Sequence, residues 1–161
     1  MTARLRIRSP VGVLCVEAGD QGVFGLSFAD RGPSRAGVSA RARAHLEAAE
    51  EALTAYFAGQ PPRLPSLDLR GSPFQLAVWT ALRGIPWGEV RTYGEIAALL
   101  GRAGGARAVG AANGRNPVAI LVPCHRVVQA GGRLGGFSAG LDVKRWLLAH
   151  EAAHAPALRS G

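Results

Sequence analysis

The sequence predicts an α+β protein: a small β-sheet with one covering helix, then a mainly helical second half. Three observations predict it. The first thirty residues alternate apolar with polar in three short runs, the period of half-buried strands. Further on, Ser72 to Gln75 and Thr92 to Glu95 each have the spacing of a capping box and open an apolar-periodic stretch. Between the halves, Pro61, Pro62 and Pro65 keep the chain extended from Gln60 to Gly71.

Arg4 to Arg8 places Leu5 and Ile7 on one face and arginines on the other, and reads as a strand. Val11 to Ala18 and Val23 to Phe28 are two more, joined through the hairpin loop Gly19-Asp20-Gln21-Gly22. Ser39 is the expected cap of a helix running to about Ala58, with Leu46, Leu53, Tyr56 and Phe57 among its apolar positions and Gly59 just past its end. The acids of this part are scattered, so it is expected to be a scaffold. The boundaries predicted are a domain over 1–60, a linker over 61–71, a second domain over 72–155 and a frayed tail over 156–161.

The second domain opens with Ser72 as cap and Pro73 at the first helical position. Phe74, Ala77, Val78 and Leu82 form an apolar face, Trp79 is core, and Gly84 and Pro86 stop the helix. From Thr92 a second helix runs through Ile96 and Leu100 to Gly101. A short glycine-rich turn leads to a third helix, Ala106 to Asn113, ended by Gly114. Two short helices about a tight turn are either a helix-turn-helix or an ordinary helical hairpin. Asp142 to His150 is a last helix, expected to bury Val143, Trp146 and Leu147, with Glu151 at its end.

Composition narrows the function classes. Apolar residues make up 48% of 161, enough for a core. No apolar run nears the roughly 20 residues that span a bilayer, and Met1 to Pro10 has no signal-peptide core. A cytoplasmic protein without membrane contact is expected. Cys15 and Cys124 are the only cysteines, and the four histidines show no ligand spacing with them, so no metal and no cofactor are expected. Net charge is +8. Residues 1–70 hold nine basic and seven acidic side chains; residues 71–161 hold ten and four. The basic half is where a polyanion would bind.

The Ala106–Asn113 helix is nearly all Ala, Gly and Val, with Arg107 its one long side chain. Readers of base edges carry several polar side chains. A smooth helix reads little sequence, but it can approach a groove closely and push one cation into the base stack. That suits a protein that scans DNA and extrudes a base.

The chemistry-bearing stretch is Asn116-Pro117-Val118-Ala119-Ile120-Leu121-Val122-Pro123-Cys124-His125-Arg126-Val127. Val118 to Val122 reads as a buried strand, which Pro123 ends for want of a donor. Then a thiol, an imidazole and a guanidinium follow one another. Cations favour the thiolate, and a thiolate is a strong nucleophile toward saturated carbon. Residues 131–140 hold five glycines, a loop whose backbone can lie close to a ligand; they do not fit a dinucleotide fingerprint.

Pro123-Cys124-His125-Arg126-Val127 after Asn116-Pro117 resembles the O6-alkylguanine-DNA alkyltransferase family, over Ser72 to Glu151. The resemblance implies an RNase H-like N-terminal domain and a winged helix-turn-helix-like second domain. It implies irreversible transfer of the alkyl group from O6-alkylguanine to Cys124, with O4-alkylthymine as a further candidate substrate. A Cys–water–His–Glu relay would use His125 as base and Glu151 as its orienter, with Asn116 as the hinge. Tyr93 would donate to guanine N3, backbone groups of Cys124 and Val127 would meet the exocyclic amine, and Ser138 the O6 atom, beside Phe137. Arg107 would fill the flipped nucleotide's space. Ala106, Ala108, Gly110 and Arg115 would share that DNA-binding face. The partner would be double-stranded DNA carrying alkylated guanine, met by a monomer, with cooperation between molecules along DNA left open.

Phe137 replaces a tyrosine of some members, Ala139 a glycine and Ala119 a proline. Among competing readings, a zinc deaminase needs a second cysteine where Val127 stands. A Cys-His hydrolase leaves the basic helix pair unexplained. An alkylated-DNA-binding protein that recruits repair or regulates transcription would lack the reactive cysteine.

Overall fold

The computed structural model describes residues 3–34 and 37–155. They fall into two compact units, one drawn from Met1–Arg70 with Pro117–Leu121, the other from Gly71–Asn116 with Val122–Gly161. The architecture is α+β, as the alternation and the caps predict.

In the first unit, β1 (Ala3–Ser9), β2 (Gly12–Gly19) and β3 (Gly22–Ser27) form an antiparallel sheet in that order. The period-2 pattern puts Leu5, Leu14, Val16, Val23 and Leu26 into the core. Helix α1 (Ala40–Phe57) packs on all three strands through Leu46, Leu53 and Tyr56. Ser39 caps it by accepting from the Ala42 amide, a contact of about 1 kcal/mol. Gly59 follows at φ +87°.

The segment expected as an extended linker is extended and hydrogen-bonded to the sheet: Val23 donates to the Ser66 carbonyl at 2.9 Å and Asp68 to that of Val23 at 2.8 Å. Prolines keep this stretch extended, and an extended strand edge finds backbone partners. One expectation needs correction here: the run Val118 to Val122, expected as a buried strand, is not one. Leu26 donates to Pro117 and Ala119 donates to Leu26, giving one bridge at Val118. The chain then turns at once, with Ile120 at φ +70°. That costs a β-branched residue roughly 1–2 kcal/mol. Apolar runs of this length are buried either way, and their pattern does not separate a strand from a buried turn.

In the second unit, α2 (Pro73–Arg83) begins with the full Ser72–Gln75 capping box. Val78, Trp79 and Leu82 are buried, whereas Ala77 is exposed and Phe74 only half-buried. Arg102 lies over the Phe74 ring at 4.6 Å, which explains its partial cover. The two-residue strand β4 (Arg91–Thr92) leads into α3 (Tyr93–Leu99), which opens on the Thr92–Glu95 capping box. Helix α4 (Ala106–Gly114) packs on α2 and α3, burying Val109, Ala112 and Asn113. Trp79 donates its indole N–H to the Ala112 carbonyl at 2.9 Å, fixing α4 on α2.

After α4 the chain passes through the first unit and returns as a 3₁₀ turn, Cys124–Arg126, followed by β5 (Val127–Val128), parallel to β4. Helix α5 (Leu141–Ala153) closes the described chain. Its buried residues are Lys144, Leu147 and Glu151, while Val143 and Trp146 are half-buried. The i, i+3, i+7 spacing sets the stripe, but two of its three positions, Lys144 and Glu151, are charged residues outside the apolar pattern. The tail expected over 156–161 lies outside the described residues. Among those described, no helix is long and apolar enough to cross a membrane.

Candidate active site

Cys124 begins the 3₁₀ turn, and Pro123 before it ends any ladder pairing. The Cys124 amide donates to the Val122 carbonyl at 2.8 Å, and the Cys124 carbonyl accepts from the Val127 amide. The side chain is 6% exposed. Burial pushes the thiol up from its ordinary value. A hydrogen bond from Asn116, the Lys144 charge and nearby amides pull the other way without reversing it. At rest the group is therefore a thiol, and a base must take its proton.

The tight turn sends His125 and Arg126 toward α5. His125 Nε2 lies 2.5 Å from Glu151 Oε2, and Arg126 Nε donates to Oε1 of the same carboxylate at 2.7 Å. Arg126 also donates to the Ile85 carbonyl at 2.7 Å and lies 5.9 Å from the Trp87 ring centroid. Glu151 is 1% exposed. Burial alone would raise its carboxyl, but the bonds and charges of His125 and Arg126 outweigh that and hold it at about 2. Burial lowers His125, more than Glu151 raises it. Thus the carboxylate is ionised beside a permanent cation, and the imidazole is neutral. An ionised carboxylate only accepts, so Nε2 carries the proton and Nδ1 the lone pair. Nδ1 is buried with no hydrogen-bond partner among the described residues. A neutral imidazole with a free lone pair is equipped as a general base.

Asn116 Nδ2 donates to the Val122 carbonyl at 2.7 Å, so it spans the excursion 117–121 and clamps the turn's entry. Tyr93, at the start of α3, is half-buried; burial and then the charge of Cys124 raise its hydroxyl. Gly110 of α4 faces the Tyr93 ring, and Gly135 of the glycine-rich loop lies against its hydroxyl. Cys124, His125, Glu151, Asn116, Tyr93 and Val127 thus gather in one unit. Phe137 is half-buried and Ser138 exposed on that loop. Arg107, Ala108 and Arg115 are exposed and Ala106 half-exposed; Arg107 lies across α4 from its buried Val109 and Ala112, and Arg115 is the helix's C-cap.

Three residues escaped the sequence reading. Arg126 was seen only as a neighbouring cation, yet it shares Glu151. Lys144 is wholly buried, its ammonium donating to the Val127 carbonyl at 2.7 Å and that of Gly136 at 3.3 Å. It joins β5 to the glycine-rich loop. The signal was present: Lys144 is the only lysine of the chain, seven residues before Glu151 on one helix face. Asn113 is buried on α4 and donates to the Cys124 carbonyl at 3.3 Å. Its spacing from Val109 placed it on the inner face.

The profile of the 6-O-methylguanine DNA methyltransferase DNA-binding domain matches residues 73–153. A methylated-DNA–protein-cysteine methyltransferase of Mycolicibacterium paratuberculosis is 51% identical over 94% of this chain and 93% of its own length. The chain belongs to the methylated-DNA–protein-cysteine methyltransferase family. Among this family's solved structures, the Mycobacterium tuberculosis O6-methylguanine methyltransferase matches with TM-score 0.83 at 42% identity, covering 98% of this chain and 97% of that one. The M. tuberculosis OGT in complex with DNA matches at 0.81 and 45%, covering 94% of each. A Methanosarcina acetivorans methyltransferase is 44% identical over 87% of this chain and 92% of its own length. The function of the methyltransferase family is therefore DNA repair by alkyl transfer, and the nucleophile it needs is a cysteine.

Proposed function

We propose that Cys124 takes the alkyl group from O6 of a guanine flipped out of double-stranded DNA, once per molecule. The observation that carries this reading is a buried thiol on a turn whose next two side chains both lock onto Glu151.

The steps follow from the groups at hand. The thiol proton passes through one water to Nδ1 of His125, and Glu151 stabilises the imidazolium that forms. The Sγ–carbon bond forms as the carbon–O6 bond breaks, and its electron pair stays on the guanine. Tyr93 gives N3 a proton and recovers one from the imidazolium through solvent. The thiol proton is in effect the one the repaired guanine gains. The thioether has no hydrolysable bond, so Cys124 is spent. O4-alkylthymine is the second substrate, with the same carbon–oxygen bond to break. Arg107 stands in for the extruded nucleotide, with Ala106, Ala108, Gly110 and Arg115 along the same helix. The protein acts as a monomer and needs neither metal nor cofactor.

The test is intact mass after mixing with excess duplex carrying O6-methylguanine. One added methyl per chain, mapped to Cys124 and not Cys15, with guanine restored, is expected. Cys124→Ser should bind DNA and transfer nothing, because a hydroxyl is scarcely ionised near neutral pH. Released alkylated base or repeated turnover overturns the reading. Lesion binding with no added mass favours the alkylated-DNA-binding alternative.

A further inference from the structure

Pro86-Trp87-Gly88-Glu89 follows α2 directly and folds as a tight turn, the Glu89 amide donating to the Pro86 carbonyl at 3.1 Å. Gly88 stands third in it at φ +82°, the left-handed position that such a turn gives to glycine. A Cβ there would lie 3.1 Å from that of Ala155 and 3.7 Å from the Glu151 carbonyl oxygen, so the turn is pressed against the end of α5.

The contacts of Trp87 follow from that placement. Arg126 Nη1 donates to the Ile85 carbonyl, two residues before Trp87, at 2.7 Å. Arg126 Cζ lies 5.9 Å from the Trp87 ring centroid, within cation–π reach. The His150 ring meets the indole edge-on at 6.2 Å and is itself stacked on Trp146 at 4.7 Å. Trp87 is only half-buried, whereas Arg126 is 9% exposed and Glu151 1%. A half-exposed ring thus shields a buried guanidinium.

The pull of Arg126 on Glu151 is strong only where water is excluded. With water at the guanidinium, Arg126 would offset less of the Glu151 charge. That charge would then act more fully on His125, and the imidazole would take a proton at a higher pH. The other cation acting on His125 is Lys144 of α5, held by the carbonyls of Val127 and Gly136. Glu89 of the turn is paired with Arg91 at 3.0 Å.

We propose that Trp87 is a positioning residue for the transfer: its ring keeps water off Arg126, holds the guanidinium on Glu151, and so leaves His125 free to take the thiol proton. This rests on the alkyl-transfer reading above. Trp87 acts through Arg126 and Glu151, not on the flipped base.

The experiment follows methyl arrival on Cys124 by mass across pH, in single turnover, and the titration of the His125 ring by NMR, where His150 reports separately. Trp87→Leu keeps apolar bulk but has no ring face. It should move the acid limb and the His125 titration up by about one pH unit, a loss of about tenfold on the limb, with the alkaline rate within about twofold of wild type. Trp87→Phe, which keeps a ring face, should restore the wild-type limb. The Arg126 Nε proton should exchange with solvent far more slowly in wild type than those of exposed arginines. An unmoved limb and titration in Trp87→Leu overturn the proposal. So does a loss equal at every pH, or a shift as large in Trp87→Phe. An Arg126 proton that exchanges in wild type like an exposed one overturns it without any variant. No methyl on Cys124 in wild type at any pH overturns the alkyl-transfer reading and this proposal with it; wild-type transfer with an unmoved limb in Trp87→Leu overturns this proposal alone.

Discussion

Arg126 and His125, adjacent on one 3₁₀ turn, bind the two oxygens of a single carboxylate, that of Glu151. The arginine keeps that carboxylate ionised whatever the imidazole does. The imidazole is then free to gain a proton on Nδ1 and lose it again without disturbing the pair beneath.

Arg126→Met should therefore cost more than its surface share. It leaves Glu151 buried with only a neutral partner, and breaking one side of a buried pair typically costs about 3–5 kcal/mol. Denaturant unfolding at pH 7 checks this. The pair also sets an acid limit. The Glu151 carboxyl is lowered from 4.5 to about 2, so its contribution is full above about 4.5 and is lost as pH falls toward 2. Glu151→Gln should flatten that part of the stability–pH curve.

The pH dependence of transfer should separate base from nucleophile. His125 is lowered from 6.5, so wild type should keep its rate through neutral pH and lose it only below that value. In His125→Asn the thiol must ionise unaided, and burial raises it above 9. The variant should be slow at pH 7, by about 10²–10⁴-fold, and climb steadily into the alkaline range. Single-turnover rates from pH 5 to 10 decide it; a flat profile in the variant removes His125 as the base.

Gly135 should tolerate no side chain. It sits at φ +71°, and a Cβ there would lie 2.9 Å from the Tyr93 hydroxyl and 3.1 Å from its ring. Gly135→Ala must move the loop or the tyrosine. Transfer should fall at least tenfold, with a stability loss of about 1–2 kcal/mol from backbone strain. Gly131→Ala, also at positive φ but with open space around it, should share the strain and keep the rate. Measuring both variants separates strain from the Tyr93 clash.

Arg107→Ala should slow repair of a duplex far more than reaction with the free alkylated base. Arg107 is exposed on α4, so equal losses on the two substrates would count against the proposed role in extruding the nucleotide. DNA binding by wild type should weaken steeply with salt, as counterions return to the phosphates.

The sequence by itself determined whatever local chemistry decides. The three strands, α1 with its Ser39 cap and both capping boxes lie where alternation and cap spacing place them. Such features depend on residues within four positions of one another. The Cys124-His125 pair and distant Glu151 were also legible, the last through the scarcity of acids in the second half and the resemblance. The tertiary structure alone decided three things. The apolar run 118–122 became a buried turn at Ile120, because pairing with β3 stops after one bridge. Lys144 entered the core although charge predicts a surface position, because the carbonyls of Val127 and Gly136, from separate parts of the chain, converge on its ammonium. Asn113 reached the Cys124 carbonyl eleven residues on. Each outcome is set by which backbone groups remain unpaired once distant segments meet, and no local pattern of side chains encodes that.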